Sequence, residues 1–206
     1  KGHPYGSVFL NESTILKLLP LLKEQAFLKK VEIYNGQEID IDLNFFREMP
    51  INFNIDSIRW YFHLTGNFPD LSKNYLEVKS HSNFENYIMI MRSLRRQNIH
   101  IDYSFLSSFK NIVFLGLKDE YNELKKEINN LEFYDSKDFL ELAMIIKNAK
   151  LFIGNPSFGF ALAEAIKVPR LLESAPNFPL VYPNGSKAHD FYFQKHFENL
   201  VEKLCS

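Results

Sequence analysis

The chain is short of three things, and each shortage closes off a class of function. Among 206 residues there is one cysteine, Cys205, so no disulfide can form within the chain and no cysteine-rich metal site can be built. No apolar run approaches the roughly eighteen residues that a membrane-spanning helix requires. Charge of one sign is missing too: 24 Lys plus Arg stand against 25 Asp plus Glu, so no overall basic field exists to draw in nucleic acid or an anionic membrane. The opening Lys1-Gly2-His3-Pro4 has none of the ordered charged and apolar regions of a signal peptide. The expected compartment is the cytoplasm, including the inner face of its membrane.

What is present is a hydrophobic content of 46%, enough to bury a core. From Tyr87 onward, short apolar runs alternate with helical periodicity. Tyr87 to Met91, Asn111 to Leu115, Leu131 to Tyr134, Leu151 to Ile153 and Arg170 to Leu172 read as buried strands. Helices are expected from Asp119 to Asn129, after an Asp135 cap through Ile146, from Ser157 to Lys167, and from about Asp190 to Leu204. Strands alternating with helices call for right-handed crossovers and a parallel sheet, an α/β fold.

The first eighty residues are less regular. A helix is expected from Asn11 to Glu24, kinked or split at Pro20, and another from Ser57 to Leu64. Val31 to Tyr34 and Ile39 to Leu43 read as strands around Asn35-Gly36. Asn67 to Ser80 reads as a linker, which divides the chain into a short lobe, 1–80, and a larger one, 81–206.

The most informative segment is LFIGNPSFGFALAEAIKVPRLLE, Leu151 to Glu173. A strand ending at Gly154, a turn at Asn155-Pro156 and a helix opening at Ser157 and Phe158 aim free backbone N–H groups at the mouth of the sheet. An anion such as a phosphate is stabilised there. Ser157 and Glu164 fall on nearly one helix face, about 10 Å apart along the axis at a rise of roughly 1.5 Å per residue. That span suits a diphosphate at Ser157 and a ribose at Glu164, whose carboxylate can accept both vicinal hydroxyls. The alternative is that Ser157 only caps the helix and Glu164 is solvated surface.

Arg92, Arg95 and Arg96 enter the loop after the first of these strands, where open α/β sheets bind ligands and guanidinium groups clamp phosphate. A solvated surface group is the competing reading. Asp40-Ile41-Asp42 could bring two carboxylates to one divalent ion, but alternation with Ile39 and Leu43 describes a half-buried edge strand at least as well. The six histidines show neither helical pairing nor companion cysteines, so no metal site is expected. No Gly-x-Ser-x-Gly elbow or Walker-type lysine loop occurs.

The run GNPSFGFALAEAIKVPR, with FLGLKDEY at Phe114 to Tyr121 and the strand and helix order around them, resembles the C-terminal nucleotide-sugar domain of GT-B glycosyltransferases. The likeness is strongest to the ADP-heptose:lipopolysaccharide heptosyltransferase group. It implies two Rossmann-like lobes, with the N-terminal one short or incomplete here. It also implies a nucleotide diphosphate sugar held mainly by the C-terminal lobe, and metal-independent, inverting transfer to a saccharide acceptor of a surface glycan. No separate cofactor is implied, since the nucleotide sugar is the donor substrate. By this reading Gly154, Asn155, Ser157, Phe158, Glu164, Arg92, Arg95 and Arg96 form the donor site, with no catalytic base assigned. The alternative function is a protein that binds nucleotide sugars, or acts as a scaffold, without turnover.

Overall fold

The computed structural model describes residues 11–48, 57–175 and 181–206. Six short strands form its centre: β1 Ile88–Met91, β2 Ile112–Leu115, β3 Glu132–Tyr134, β4 Leu151–Gly154, β5 Arg170–Glu173 and β6 Ala188–Phe191. They make one sheet in the order β3-β2-β1-β4-β5-β6, and every neighbouring pair runs parallel. This is the Rossmann strand order, and the α/β class read from the sequence is the one observed.

The helices are α1 Glu12–Lys23, α2 Ser57–Thr65, α3 Lys118–Leu124, α4 Phe139–Ile146, α5 Phe158–Ile166 and α6 Gln194–Cys205. Side chains alternate across a strand, so each apolar strand supplies two layers. Ile88, Ile90, Ile112, Phe114, Leu151 and Ile153 pack on one face with Leu124 of α3 and with Phe197, Leu200 and Val201 of α6. Met89, Val113, Leu115 and Phe152 pack on the other with α1, α4 and α5, through Leu21, Leu142, Ile145, Phe160 and Ile166. Each fully buried side chain of this size contributes about 1.5–3 kcal/mol.

Several expectations shift in register. The helix expected from Asp119 starts at Lys118 and its regular part ends at Leu124, yet Leu124 and Ile128 are both buried, as the apolar spacing required. The cap of α4 is Asp138, which accepts the Glu141 N–H at 2.8 Å, and not Asp135. Pro20 lies inside an unbroken α1, whose N-cap Asn11 accepts the Thr14 N–H at 2.8 Å. Asp190 does not open the last helix; it belongs to β6, and α6 begins at Gln194. This strand escaped notice because Ala188 to Phe191 carries one large apolar residue. Phe191 is drawn into the sheet by stacking on Phe197 at 4.0 Å and 4°.

The two strands expected at Val31 to Tyr34 and Ile39 to Leu43 are absent: these residues are irregular, and a 3-10 helix follows at Leu43–Glu48. Ile33, Ile39 and Ile41 stay roughly half exposed, so their alternation has no sheet to pack on. The stretch read as a linker, 67–80, is pinned to the domain. Tyr75 and Leu76 donate N–H groups to the Ala165 carbonyl at 3.0 and 3.3 Å. Buried Gln25 accepts the Glu77 N–H at 2.9 Å and donates to the Glu77 carbonyl at 3.1 Å.

The ends of β1 and β4 come together closely at Gly154. A Cβ there would lie 2.9 Å from the Met91 carbonyl oxygen and 2.9 Å from a Phe152 ring carbon. Gly154→Ala is therefore expected to destabilise the fold by about 1–3 kcal/mol, read as a lower urea midpoint at unchanged slope. An unaltered midpoint would mean that the two strand ends have room to spare.

Candidate functional site

In this strand order all strands stay parallel, but the progression of the chain across the sheet reverses between β1 and β4. The segment after β1 carries Tyr103 and Leu106 into the layer of α3 and α6, while α5, after β4, packs in the opposite layer. Two connections leaving in opposite directions open a crevice at the carboxyl ends of β1 and β4, the place where open α/β sheets hold ligands.

One wall of the crevice is the start of α5. Ser157 takes the N-cap position with extended backbone, but its hydroxyl caps nothing. That oxygen is buried and has no hydrogen-bond partner. The first N–H groups of α5 thus keep their donors and the positive end of the helix dipole. Phe158 is 42% exposed beside them and packs on Phe139 with ring centroids 4.5 Å apart. Gly159 lies against the Met91 thioether, which a Cβ there would force to move.

The facing wall is the loop 92–98. Asn155, fully buried, accepts the Ser93 N–H at 2.9 Å and donates to the carbonyls of Ser93 at 2.8 Å and Arg95 at 2.9 Å. Arg95 is exposed. Arg96 has a left-handed backbone, φ 62°, and donates to the Pro156 carbonyl at 3.4 Å. Gly154 and Ser157 are thereby brought beside the backbone of Arg95 and Arg96, with Phe158 at the next position, in the first turn of α5.

Two residues expected to face a nucleotide are engaged inside the protein instead. Arg92 is 7% exposed; its Nε donates to Glu173 Oε2 at 2.7 Å and its Nη2 to Glu173 Oε1 at 3.1 Å. Its guanidinium stacks 4.5 Å from the Tyr103 ring centre. Burial alone would lower the Arg92 pKa, but the Glu173 hydrogen bonds and the charges nearby hold it above the ordinary value. Glu164 is the second correction. It is buried, pairs with Arg170 Nε at 2.5 Å and with Lys167, and accepts the Asn184 N–H at 3.2 Å. A carboxylate so surrounded stabilises the packing of the 181–187 loop on α5, and a ribose would have to displace these partners.

Reading the sequence missed Glu173 and Tyr103. Glu173, fully buried at the end of β5, also accepts the Tyr103 hydroxyl at 2.7 Å and the Asn98 N–H at 2.5 Å. The signal was there: Arg92 and Glu173 each follow directly on a buried apolar run. Pairing them requires knowing that β1 and β5 both flank β4.

Beside the loop lies a cleft of about 330 Å³, lined by Arg92, Leu94, Gln97, Glu120, Leu124 and Glu127. Burial raises the Glu120 pKa, against the N–H groups of Leu117 and Leu94 and the charge of Arg95. Asp40 and Asp42 are exposed, and Asp42 accepts the Asn44 N–H at 2.8 Å. Among the described residues no group of three or more His, Cys, Asp and Glu side chains is placed to hold a metal ion, and no helix is long and apolar enough to cross a membrane.

Among solved structures, the chain is similar to the ADP-heptose LPS heptosyltransferase II of E. coli. Identity is 15% and the TM-score 0.46, over 61% of this chain and 48% of that one. It is also similar to a glycosyl transferase family 9 protein of Veillonella parvula, with 13% identity and TM-score 0.46, over 72% of this chain and 53% of that one. The chain thus spans about half the length of these two proteins. No protein-family model and no curated protein sequence matches it.

The network has a pH signature. Burial and then the Glu173 charge raise the Tyr103 pKa well above 10.0. Above that pH the unfolded chain releases the phenol proton and the folded chain keeps it, so stability falls as pH rises. Tyr103→Phe is expected to flatten this alkaline loss in denaturation measured from pH 8 to pH 11, while costing about 1–3 kcal/mol at neutral pH for the bond lost to Glu173. An alkaline slope identical to that of the unaltered protein would disprove the assignment.

Proposed function

We propose that the crevice between β1 and β4 binds the diphosphate of a nucleotide sugar, and that the chain supplies the donor side of a glycosyltransferase. The observation that carries this reading is the uncapped start of α5 at the reversal of strand order, with the Ser157 hydroxyl buried and unpartnered beside it. The resemblance of the segment from Gly154 to Arg170 to nucleotide-sugar domains supports the same ligand class.

The chemistry follows from where the charges stand. An acceptor hydroxyl attacks the anomeric carbon from the side opposite the diphosphate, the new glycosidic bond forms, and the old C–O bond breaks with its electron pair on the leaving phosphate. The hydroxyl proton passes to a base. Negative charge developing on the diphosphate would be met by the N–H groups of α5 and by Arg95 and Arg96, which lowers the barrier without reorganisation at the moment of reaction. The acceptor in this proposal is a saccharide of a surface glycan.

One observation favours a second reading, binding without turnover: Glu164, the expected ribose partner, is already saturated by Arg170, Lys167 and Asn184. Release of free nucleoside diphosphate from a nucleotide sugar separates the two.

A thermal-shift panel of nucleoside diphosphates and nucleotide sugars tests the shared claim. A ligand at 100 times its Kd adds about 2.7 kcal/mol of stability. Ser157→Ala is expected to weaken that ligand while changing the stability of the free protein by less than about 0.5 kcal/mol, because the hydroxyl has no partner to lose. No shift with any member of the panel would rule the site out as a nucleotide-sugar site.

A further inference from the structure

Asn155 lies in the middle of the segment that suggested a nucleotide site, and its side chain makes three hydrogen bonds to the facing loop. It is 0% exposed. An asparagine amide has two donor hydrogens and one carbonyl oxygen. Both hydrogens are used on the loop, to Ser93 O at 2.8 Å and Arg95 O at 2.9 Å, and the oxygen accepts the Ser93 N–H at 2.9 Å. No donor of Asn155 is left for an anion.

We propose that Asn155 is a positioning residue, which fixes the Arg95 peptide against the start of α5 so that the guanidinium and the helix N–H groups converge on one diphosphate. The inference rests on the diphosphate reading of the crevice. The loop needs such a clamp. Arg96 holds a left-handed φ of 62°, unfavourable for a residue with a Cβ, and persists there only where its neighbours are tied down. Asn155 ties the residue before it, and Glu173 ties Asn98 two residues after it, through the Asn98 N–H at 2.5 Å. A long cationic side chain on a fixed peptide loses less freedom on meeting its anion than one on a mobile loop.

Such a role differs from direct contact in a measurable way. A ligand contact adds its effect independently, whereas a clamp acts through the group it positions, so its effect vanishes once that group is gone. The experiment is a titration of inorganic pyrophosphate and of ADP, at fixed ionic strength, into the unaltered protein, Asn155→Ala, Arg95→Ala and the double variant. Asn155→Ala is expected to weaken binding about tenfold, and to cost less than about twofold more when Arg95 is already alanine. Equal losses in both backgrounds would overturn the clamp and leave Asn155 as an independent contributor. Unchanged affinity of Asn155→Ala would overturn it outright. If the unaltered protein binds neither pyrophosphate nor ADP, the diphosphate reading fails, and the clamp with it. Should Asn155→Ala not fold, Asn155→Ser carries the same cycle, because its short hydroxyl cannot span Ser93 and Arg95 together.

Discussion

The carboxyl end of the sheet depends on one buried ion pair, Arg92 with Glu173. It reaches across the end of β4 and joins the residue after β1 to the last residue of β5. Two charges removed from water are costly, and their attraction offsets the cost only when the remaining lone pairs and protons are satisfied. Here they are: the carboxylate takes Arg92, the Tyr103 hydroxyl and the Asn98 N–H, and the guanidinium lies over the Tyr103 ring. Losing either partner would leave a bare charge at a cost of about 3–5 kcal/mol. The arrangement is thus better understood as a constraint on geometry than as a source of stability. It dictates where the loop after β1 starts and where it ends.

The site inherits that geometry. With Arg92 held inward, the loop is tied to the turn before α5 by Asn155, which donates to the Arg95 carbonyl, and by Arg96, which donates to the Pro156 carbonyl. Glu164 plays the parallel part at the other end of α5, where Arg170 and Lys167 hold it and the 181–187 loop folds over them. Both acidic hubs sit among residues that an unaided look at charge would assign to ligand binding. Burial explains the pairing: charged groups taken out of water are tolerated only where they pair with each other.

How much of this was legible follows from the kind of signal each part carries. The alternating strands and helices from Tyr87 to Leu172 were readable because both faces of a parallel sheet are covered, which writes continuous apolar runs into the chain. The edge strand β6 was not, since an edge needs little apolar surface and Ala188 to Phe191 has little. Val31 to Tyr34 and Ile39 to Leu43 misled for the opposite reason: they carry the alternation of a strand without a partner to complete the ladder. Gly154 ends β4 and Ser157 takes the N-cap position of α5, as the apolar run and the turn residues implied. Arg92 and Glu164 are held inside, because spacing along a chain shows which residues share a face but neither that Glu173 arrives beside Arg92 from 81 positions away nor that Lys167 and Arg170, three and six positions on, fold back onto Glu164.

Gln25 bonds to both the N–H and the carbonyl of Glu77, 52 positions along, in the manner of one rung of a strand pair. One amide side chain therefore shuts a long excursion of the chain at its base. The entropy lost in closing such an excursion grows only with the logarithm of its length, so each doubling adds about 0.6 kcal/mol. On closure entropy alone, a change in the length of that excursion costs little, so the sheet sets no strict length for the chain that Gln25 closes off.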